Sequence, residues 1–166
     1  MCVNKWRHIN VYDSLYSTTP SALVQQLCCF LKTQEKQVTI NLMEMQSQSG
    51  GSDCGCFAVA SAAALCQGED PSCFVWSQEK MRGYLLDCLT ERKMHPFSAK
   101  KKMKSSTLST WVKKTVTIPV FCSCRGPANR KGMLQCVKCS EWFHKTCCNI
   151  PASSFRKNVV WKCPTC

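Results

Sequence analysis

The chain has 166 residues, room for one ordinary domain or two small ones, and 45% hydrophobic against 19% charged residues excludes a wholly disordered polymer. The longest nearly uncharged apolar stretch, residues 57–66, is about half the roughly 20 residues a membrane-spanning helix needs, and the start MCVNKWRH carries no apolar signal region. The expectation is a soluble, intracellular protein with no membrane partner, whose sixteen cysteines stay reduced for metal binding or nucleophilic chemistry.

The net charge of +12 is unevenly spread. Residues 1–98 sum to −1, residues 99–118 carry six lysines and no acid, and residues 119–166 sum to +7 with Glu141 as their one acid. Eight cysteines precede residue 98 and eight follow residue 121, yet only the second set is tightly paired. The simplest organisation is two modules, 1–98 and 119–166, joined by a basic linker over 99–118.

In the first module, Ile9 and Val11 alternate with Asn10 as in a short strand, and Val38, Ile40 and Leu42 alternate again. Between them Leu23, Leu27, Phe30 and Leu31 recur at helical spacing behind Ser21, the expected N-cap. The turn-rich QSQSGGSDCG leads into CFAVASAAALC, which is apolar on all sides and so expected as a buried helix. Met81, Tyr84, Leu85, Cys88 and Leu89 form one face of an amphipathic helix that the Ala-rich helix is expected to cover. Residues 99–118 lack apolar periodicity and read as a flexible tether, whose lysine run suits nuclear import or contact with nucleic acid.

From Cys122 the chain reads C-x-C (Cys122, Cys124), C-x2-C (Cys136, Cys139), His144, Cys147 and C-x2-C (Cys163, Cys166). Eight such ligands make two tetrahedral zinc sites, and a segment this short with few large apolar side chains is near the size at which a metal is needed for folding. Four Cys, one His and three Cys, with Trp142-Phe143-His144 and with Trp161 two residues before Cys163, resemble a PHD finger over residues 121–166. The resemblance implies a cross-brace: one zinc on Cys122, Cys124, His144 and Cys147, the other on Cys136, Cys139, Cys163 and Cys166. A RING finger shares the cross-brace, but the single-residue gap in the first pair and His144 as fifth ligand favour PHD. Cys148 is left over and is expected to pack.

Many PHD fingers read histone H3 tails through an aromatic cage whose ring faces attract a methylated lysine. The family's cage positions fall here on Phe121, Met133 and Trp142, with Ala128 at a further position that is often aromatic. Val137 stands where such readers tend to carry an acid. The alternative use of Phe121 and Trp142 is to pack the small core.

Cys54 lies where a Gly-rich loop enters a helix, whose positive end favours a nucleophilic thiolate. Gln48 is spaced to offer its amide to an oxyanion, and Asp13, ending a strand, to orient an imidazole base. NVYDSL, QSGGSDCG and the two following helices, to about Phe97, resemble the C-terminal half of the cysteine peptidase family that includes the SUMO-specific proteases, found in hosts and in transposable elements. The resemblance implies an incomplete papain-like α/β fold with the triad acid on Asp13, the oxyanion glutamine on Gln48 and the nucleophile on Cys54. That family's histidine sits in a His-Trp dipeptide on the preceding strand, and this chain contains none. His8 is no substitute, because its odd separation from Asp13 sends the two side chains to opposite faces of a strand; His144 belongs to zinc, and His95 follows the last helix.

The expected function is therefore a nuclear, zinc-binding interaction protein of the kind transposon-derived genes carry, with a histone tail or another nuclear protein as partner and an inactive peptidase-like region. The alternatives are an active cysteine peptidase or deSUMOylase whose histidine is supplied from outside the chain, and a basic protein that holds DNA through linker and finger.

Overall fold

The computed structural model describes residues 2–4, 8–16, 18, 21–30, 35–102, 111–129, 131–156 and 159–166. Its elements in chain order are β1 (Cys2–Asn4), β2 (His8–Val11), α1 (Ser21–Phe30), β3 (Gln37–Met43), α2 (Cys54–Cys66), β4 (Phe74–Trp76) and α3 (Gln78–Glu91). Then follow β5 (Ala99–Lys101), β6 (Val112–Phe121), β7 (Gly126–Pro127), β8 (Met133–Gln135) and β9 (Trp142–His144). Two compact units result, Met1–Thr19 with Ile40–Val116, and Pro20–Thr39 with Thr117–Cys166.

The first unit is mixed sheet and helix. Strand order runs β1-β2-β3-β6, with β1 and β2 antiparallel and Val3 opposite Ile9. The alternation legible in the sequence becomes burial: Ile9 and Val11 on β2 are buried while His8 is exposed, and Ile40 and Leu42 are buried on β3. A separate antiparallel pair, β4 with β5, sets Trp76 opposite Ala99. Phe57, Ala60 and Ala63 of α2 pack with Trp76, Met81 and Phe97 into one core, where the Phe57 and Trp76 rings meet edge to face at 6.0 Å and 87°.

Helix α2 ends in a Schellman turn. Gly68 adopts φ +77°, its amide reaches the Leu65 carbonyl (3.0 Å), and the Glu69 amide reaches the Ala64 carbonyl (2.9 Å). Contrary to the sequence expectation, α2 is not buried all round. Phe57, Ala60, Ala63 and Ala64 are buried, but Cys54, Ala58, Ala62 and Cys66 face solvent. An exposed alanine leaves little apolar area in water, so the composition of α2 does not reveal its outer face. On α3, Met81 and Cys88 are buried, with Tyr84 and Leu85 against the core as expected, but Leu89 is 69% exposed.

Residues expected as a tether are partly strand. Ala99–Lys101 is β5 and Val112–Phe121 is β6, while 103–110 lies outside the described residues. The period-2 signal of Val116, Ile118 and Val120 straddles the end of the lysine-rich stretch, and Val120 is fully buried. In the second unit the strand order is β3-β6-β7, and α1, on which Val24, Leu27 and Cys28 are buried, lies beside β7. The segment Pro20–Thr39 thus groups with the zinc-ligand region.

Because Phe57 fills the centre of the first core, Phe57→Ala should destabilise the first unit by about 3–5 kcal/mol. Chemical denaturation followed by circular dichroism measures this, and a loss below about 1 kcal/mol would show that the core is not packed as described.

Candidate functional site

Four tight turns present four pairs of ligands. Cys122 follows β6 with φ 64°; its amide donates to the Trp142 carbonyl (2.8 Å), and the Arg125 amide returns to the Cys122 carbonyl (3.2 Å). The β8–β9 hairpin, with Leu134 opposite Phe143, carries the second turn. There the Cys136 amide donates to the Glu141 carbonyl and the Ser140 amide to the Cys136 carbonyl, both at 2.9 Å. His144 ends β9, and the Cys147 amide turns back to its carbonyl (3.2 Å), as the Cys166 amide does to that of Cys163 (3.1 Å).

The turns interleave. The ligand atoms of Cys122, Cys124, His144 and Cys147 all lie within 4.8 Å of one another, and so do those of Cys136, Cys139, Cys163 and Cys166. These are the two sets implied by the resemblance. Cys124 Sγ and Cys147 Sγ stand 3.3 and 3.8 Å from His144 Nδ1, and Cys139 Sγ stands 3.8 Å from Cys163 Sγ. A tetrahedron with zinc–sulfur bonds of about 2.3 Å has edges of about 3.8 Å, so both groups have the size of a zinc site. His144 Nε2 donates to the Pro127 carbonyl (2.9 Å), which leaves Nδ1 bare toward the thiols. Closed four-ligand sites of this type hold structure and leave no position for a substrate.

Without metal the thiols cannot all ionise together. Burial pushes the Cys122 thiol up, but the amides of Cys124 and His144 and the Ser123 hydroxyl outweigh it and hold the group at about 6. Burial likewise opposes ionisation of Cys136, yet the amides of Cys139, Cys163 and Lys138 bring it to about 6. Burial and the neighbouring Cys124 push Cys147 up to about 11, and the neighbouring Cys163 with burial pushes Cys166 up to about 12. A dication removes this conflict by compensating every thiolate at once.

Trp142 and Met133 share one side of the β8–β9 hairpin, since Trp142 opposes Gln135 and Met133 opposes His144. Phe121 precedes Cys122, whose amide is bound to the Trp142 carbonyl, so all three candidate cage residues adjoin the first zinc site. The rings of the finger's core are Phe143 and Trp161, which meet at 5.4 Å within a cluster of Cys122, Cys136, Ile150 and Cys163, while Phe121 is half-buried and Trp142 is 42% exposed. Val137 and Ala128 are also exposed. Glu141 is ion-paired with Lys36 at 2.6 Å, a partner that nothing in the linear spacing announces.

In the first unit, Cys54 is the first residue of α2 and is exposed. Gln48 donates its amide to the Gly50 carbonyl (2.8 Å) and accepts from the Ser14 hydroxyl (2.8 Å). Asp13 accepts from the amides of Leu15 and Tyr16, a local turn. The loop is therefore tied to the Asp13–Ser14 turn, but among the described residues no hydrogen bond or ion pair joins Cys54 to Asp13 or Gln48. His8 is exposed on β2, and His95 is paired with Glu91 at 3.0 Å. Sequence reasoning missed the holders of this loop. Asp53 accepts from Gln78 (2.6 Å) and Arg82 (2.8 Å), which hold its carboxyl below the usual range, and Gln78 also makes two bonds to the Ser49 backbone.

Elemental analysis of the purified chain should give about two zinc ions, falling as pH drops because protons compete for thiolate and imidazole. Cys136→Ala should lose the metal of its site and unfold the finger, whereas Cys148→Ala should keep both ions. One ion or none in the unaltered protein would refute the assignment.

Residues 122–166 match the PHD-finger family. Set1 complex component spp1 of Schizosaccharomyces pombe is 44% identical over 48 residues, 29% of this chain and 11% of that protein. Chromatin remodeling protein SHL of Arabidopsis thaliana is 38% identical over 50 residues, 30% of this chain and 22% of that protein. Histone lysine demethylase PHF8 of Danio rerio is 31% identical over 51 residues, 30% of this chain and 5% of that protein. The chain thus spans less than a quarter of each of these relatives. Its residues 122–166 are a PHD finger with two zinc sites.

Proposed function

We propose that the chain is a chromatin-associated interaction protein, resident in the nucleus, whose PHD finger docks a histone-tail peptide through the hairpin face that carries Met133 and Trp142. The observation that carries this reading is Trp142. It is a large ring left outside the core that Phe143 and Trp161 complete, it shares a hairpin face with Met133, and its carbonyl binds the amide of the zinc ligand Cys122, the residue after Phe121. The similar proteins, named for a Set1 complex, chromatin remodelling and histone lysine demethylation, support the same setting. A desolvated ammonium on the indole face is the attraction such a site supplies. Binding is expected to be weak, because Ala128 leaves a wall open, Val137 brings no charge, and Lys36 neutralises the finger's acid. The eight Lys/Arg residues between 119 and 166 support DNA phosphate as a competing ligand.

A titration of the zinc-loaded chain at two salt concentrations separates the two ligands. Peptide binding should favour a trimethylated over an unmodified lysine, change little with salt, and weaken about tenfold in Trp142→Ala, the ~1–2 kcal/mol of a cation–π contact. Binding that ignores Trp142 and methylation but falls steeply with salt would replace the peptide reading by the phosphate one.

For residues 1–98 the proposal is a peptidase-like remnant of transposon type, with a SUMO-protease-like arrangement in which Cys54, Gln48 and Asp13 occupy the nucleophile, oxyanion and acid positions without a base. The exposed Cys54 at the head of α2 and the bond between Gln48 and Ser14 support this reading. The chain alone should show no turnover of ubiquitin-like substrates, with slow labelling of Cys54 by a substrate-mimicking electrophile. Turnover abolished by Cys54→Ala would overturn the inactive reading.

A further inference from the structure

Cys148 is a thiol that the zinc assignment does not use, yet its Sγ lies 3.9 Å from Sγ of the ligand Cys122. Both residues line one cavity of about 350 Å³, as do Ser123, Arg125, Glu141, Phe143 and Cys147. We propose that Cys122 and Cys148 form an oxidation-sensitive pair, a modification site at which peroxide converts the first zinc site into a disulfide and expels its metal.

The chemistry balances with hydrogen peroxide as the oxidant. The Cys122 sulfur, deprotonated as a metal ligand, attacks one peroxide oxygen; a sulfur–oxygen bond forms, the oxygen–oxygen bond breaks, and hydroxide leaves to be protonated. The Cys148 sulfur, its proton passing to solvent, then attacks the Cys122 sulfenic sulfur; the sulfur–sulfur bond forms and a second hydroxide departs, taking up a proton. Two thiols have lost two electrons, and peroxide has become two waters. The cavity that Cys122 and Cys148 both line is the route for oxidant, and the positive charge of Arg125, a residue of the same lining, favours a departing hydroxide. Cys122 then offers no thiolate, and the first site keeps Cys124, His144 and Cys147. Three ligands hold zinc less tightly than four, so the finger opens, and a reductant and zinc restore it.

Cys148 differs in this from the other cysteines of the finger. Seven are ligands within the two sets, and Cys148 alone is half-buried beside a ligand with its sulfur uncommitted. Cys148 packs against the finger's core as the sequence leads one to expect, but adjacency to Cys147 in the chain does not reveal that its sulfur stands 3.9 Å from that of Cys122.

The test treats the reduced, zinc-loaded full chain with hydrogen peroxide and follows zinc release with a chromogenic chelator, together with peptide mapping by mass spectrometry. The expected result is release of one zinc ion per chain with a linked peptide pair joining Cys122 to Cys148, reversed by a dithiol and added zinc. Cys148→Ser, checked beforehand to hold two zinc ions, should release its first metal about tenfold more slowly and give no such linkage. Equal release rates in the two proteins, or oxidation that maps only to Cys54, Cys66 or other pairs, would overturn the proposal. If Cys148→Ser does not hold two ions, linkage mapping in the unaltered protein decides alone: Cys122 linked to Cys148 supports the pair, and its absence after zinc release refutes it.

Discussion

The finger depends on one constraint, that its core and its metal ligands are largely the same residues. Of the five buried residues in that core, Cys122, Cys136 and Cys163 are ligands, and only Phe143 and Ile150 are purely apolar. Burying a thiolate without a counter-charge is costly, and burying a thiol there leaves a core too small to offset the loss of chain entropy. Zinc resolves both at once, which is why metal binding and folding are one event for this segment. Three of the four turns that deliver the pairs carry backbone strain that this context must hold, since Cys122, Arg125, Ser140 and Asn149 are all at positive φ without being glycine.

The same constraint changes the charge that a partner meets. Counted with neutral cysteines, residues 119–166 carry +7. Seven ligand thiolates balanced by two dications lower that figure by three, so the folded finger is less basic than its sequence. Two of the three units fall on the four-cysteine site and one on the first site, beside Phe121, Met133 and Trp142. A cationic peptide is repelled less there than the linear charge count implies, and a phosphate chain is held less tightly. The ion pair of Lys36 with Glu141 acts in the opposite direction by removing the one acid, though an exposed lysine partner limits its strength to about 0–1 kcal/mol.

What was legible in the sequence follows from how local each signal is. Ligand pairs one or two residues apart are set by single turns, so the spacing alone fixed all eight metal residues, and the family resemblance supplied their interleaving. The strands at Ile9–Val11 and Val38–Leu42 were legible for a similar reason, because period-2 burial is written into adjacent residues. The rest depends on contacts distant in sequence. Lys36 reaches Glu141 across more than a hundred residues, His144 is oriented by a backbone carbonyl at Pro127 that no side-chain pattern encodes, and Cys148 meets Cys122 only because the zinc turns fold. β6 was obscured differently: its lysines and threonines face outward, so half of a regular strand read as tether.

The loop before Cys54 shows why order in a region is a separate matter from its chemistry. Gln46 makes two bonds to the Trp76 backbone, Gln78 makes two to Ser49, and Arg82 joins Asp53 and the Ser52 carbonyl. Amide side chains paired this way act as short rungs of sheet, holding an irregular segment in place without burying much of it. Such a frame keeps Cys54 at the head of α2 whether or not a base is present, because none of its bonds involves the thiol. Under the proposed peptidase-like reading, the position of Cys54 can therefore persist in this unit on folding grounds alone, and only a proton acceptor within its reach would convert that position into catalysis.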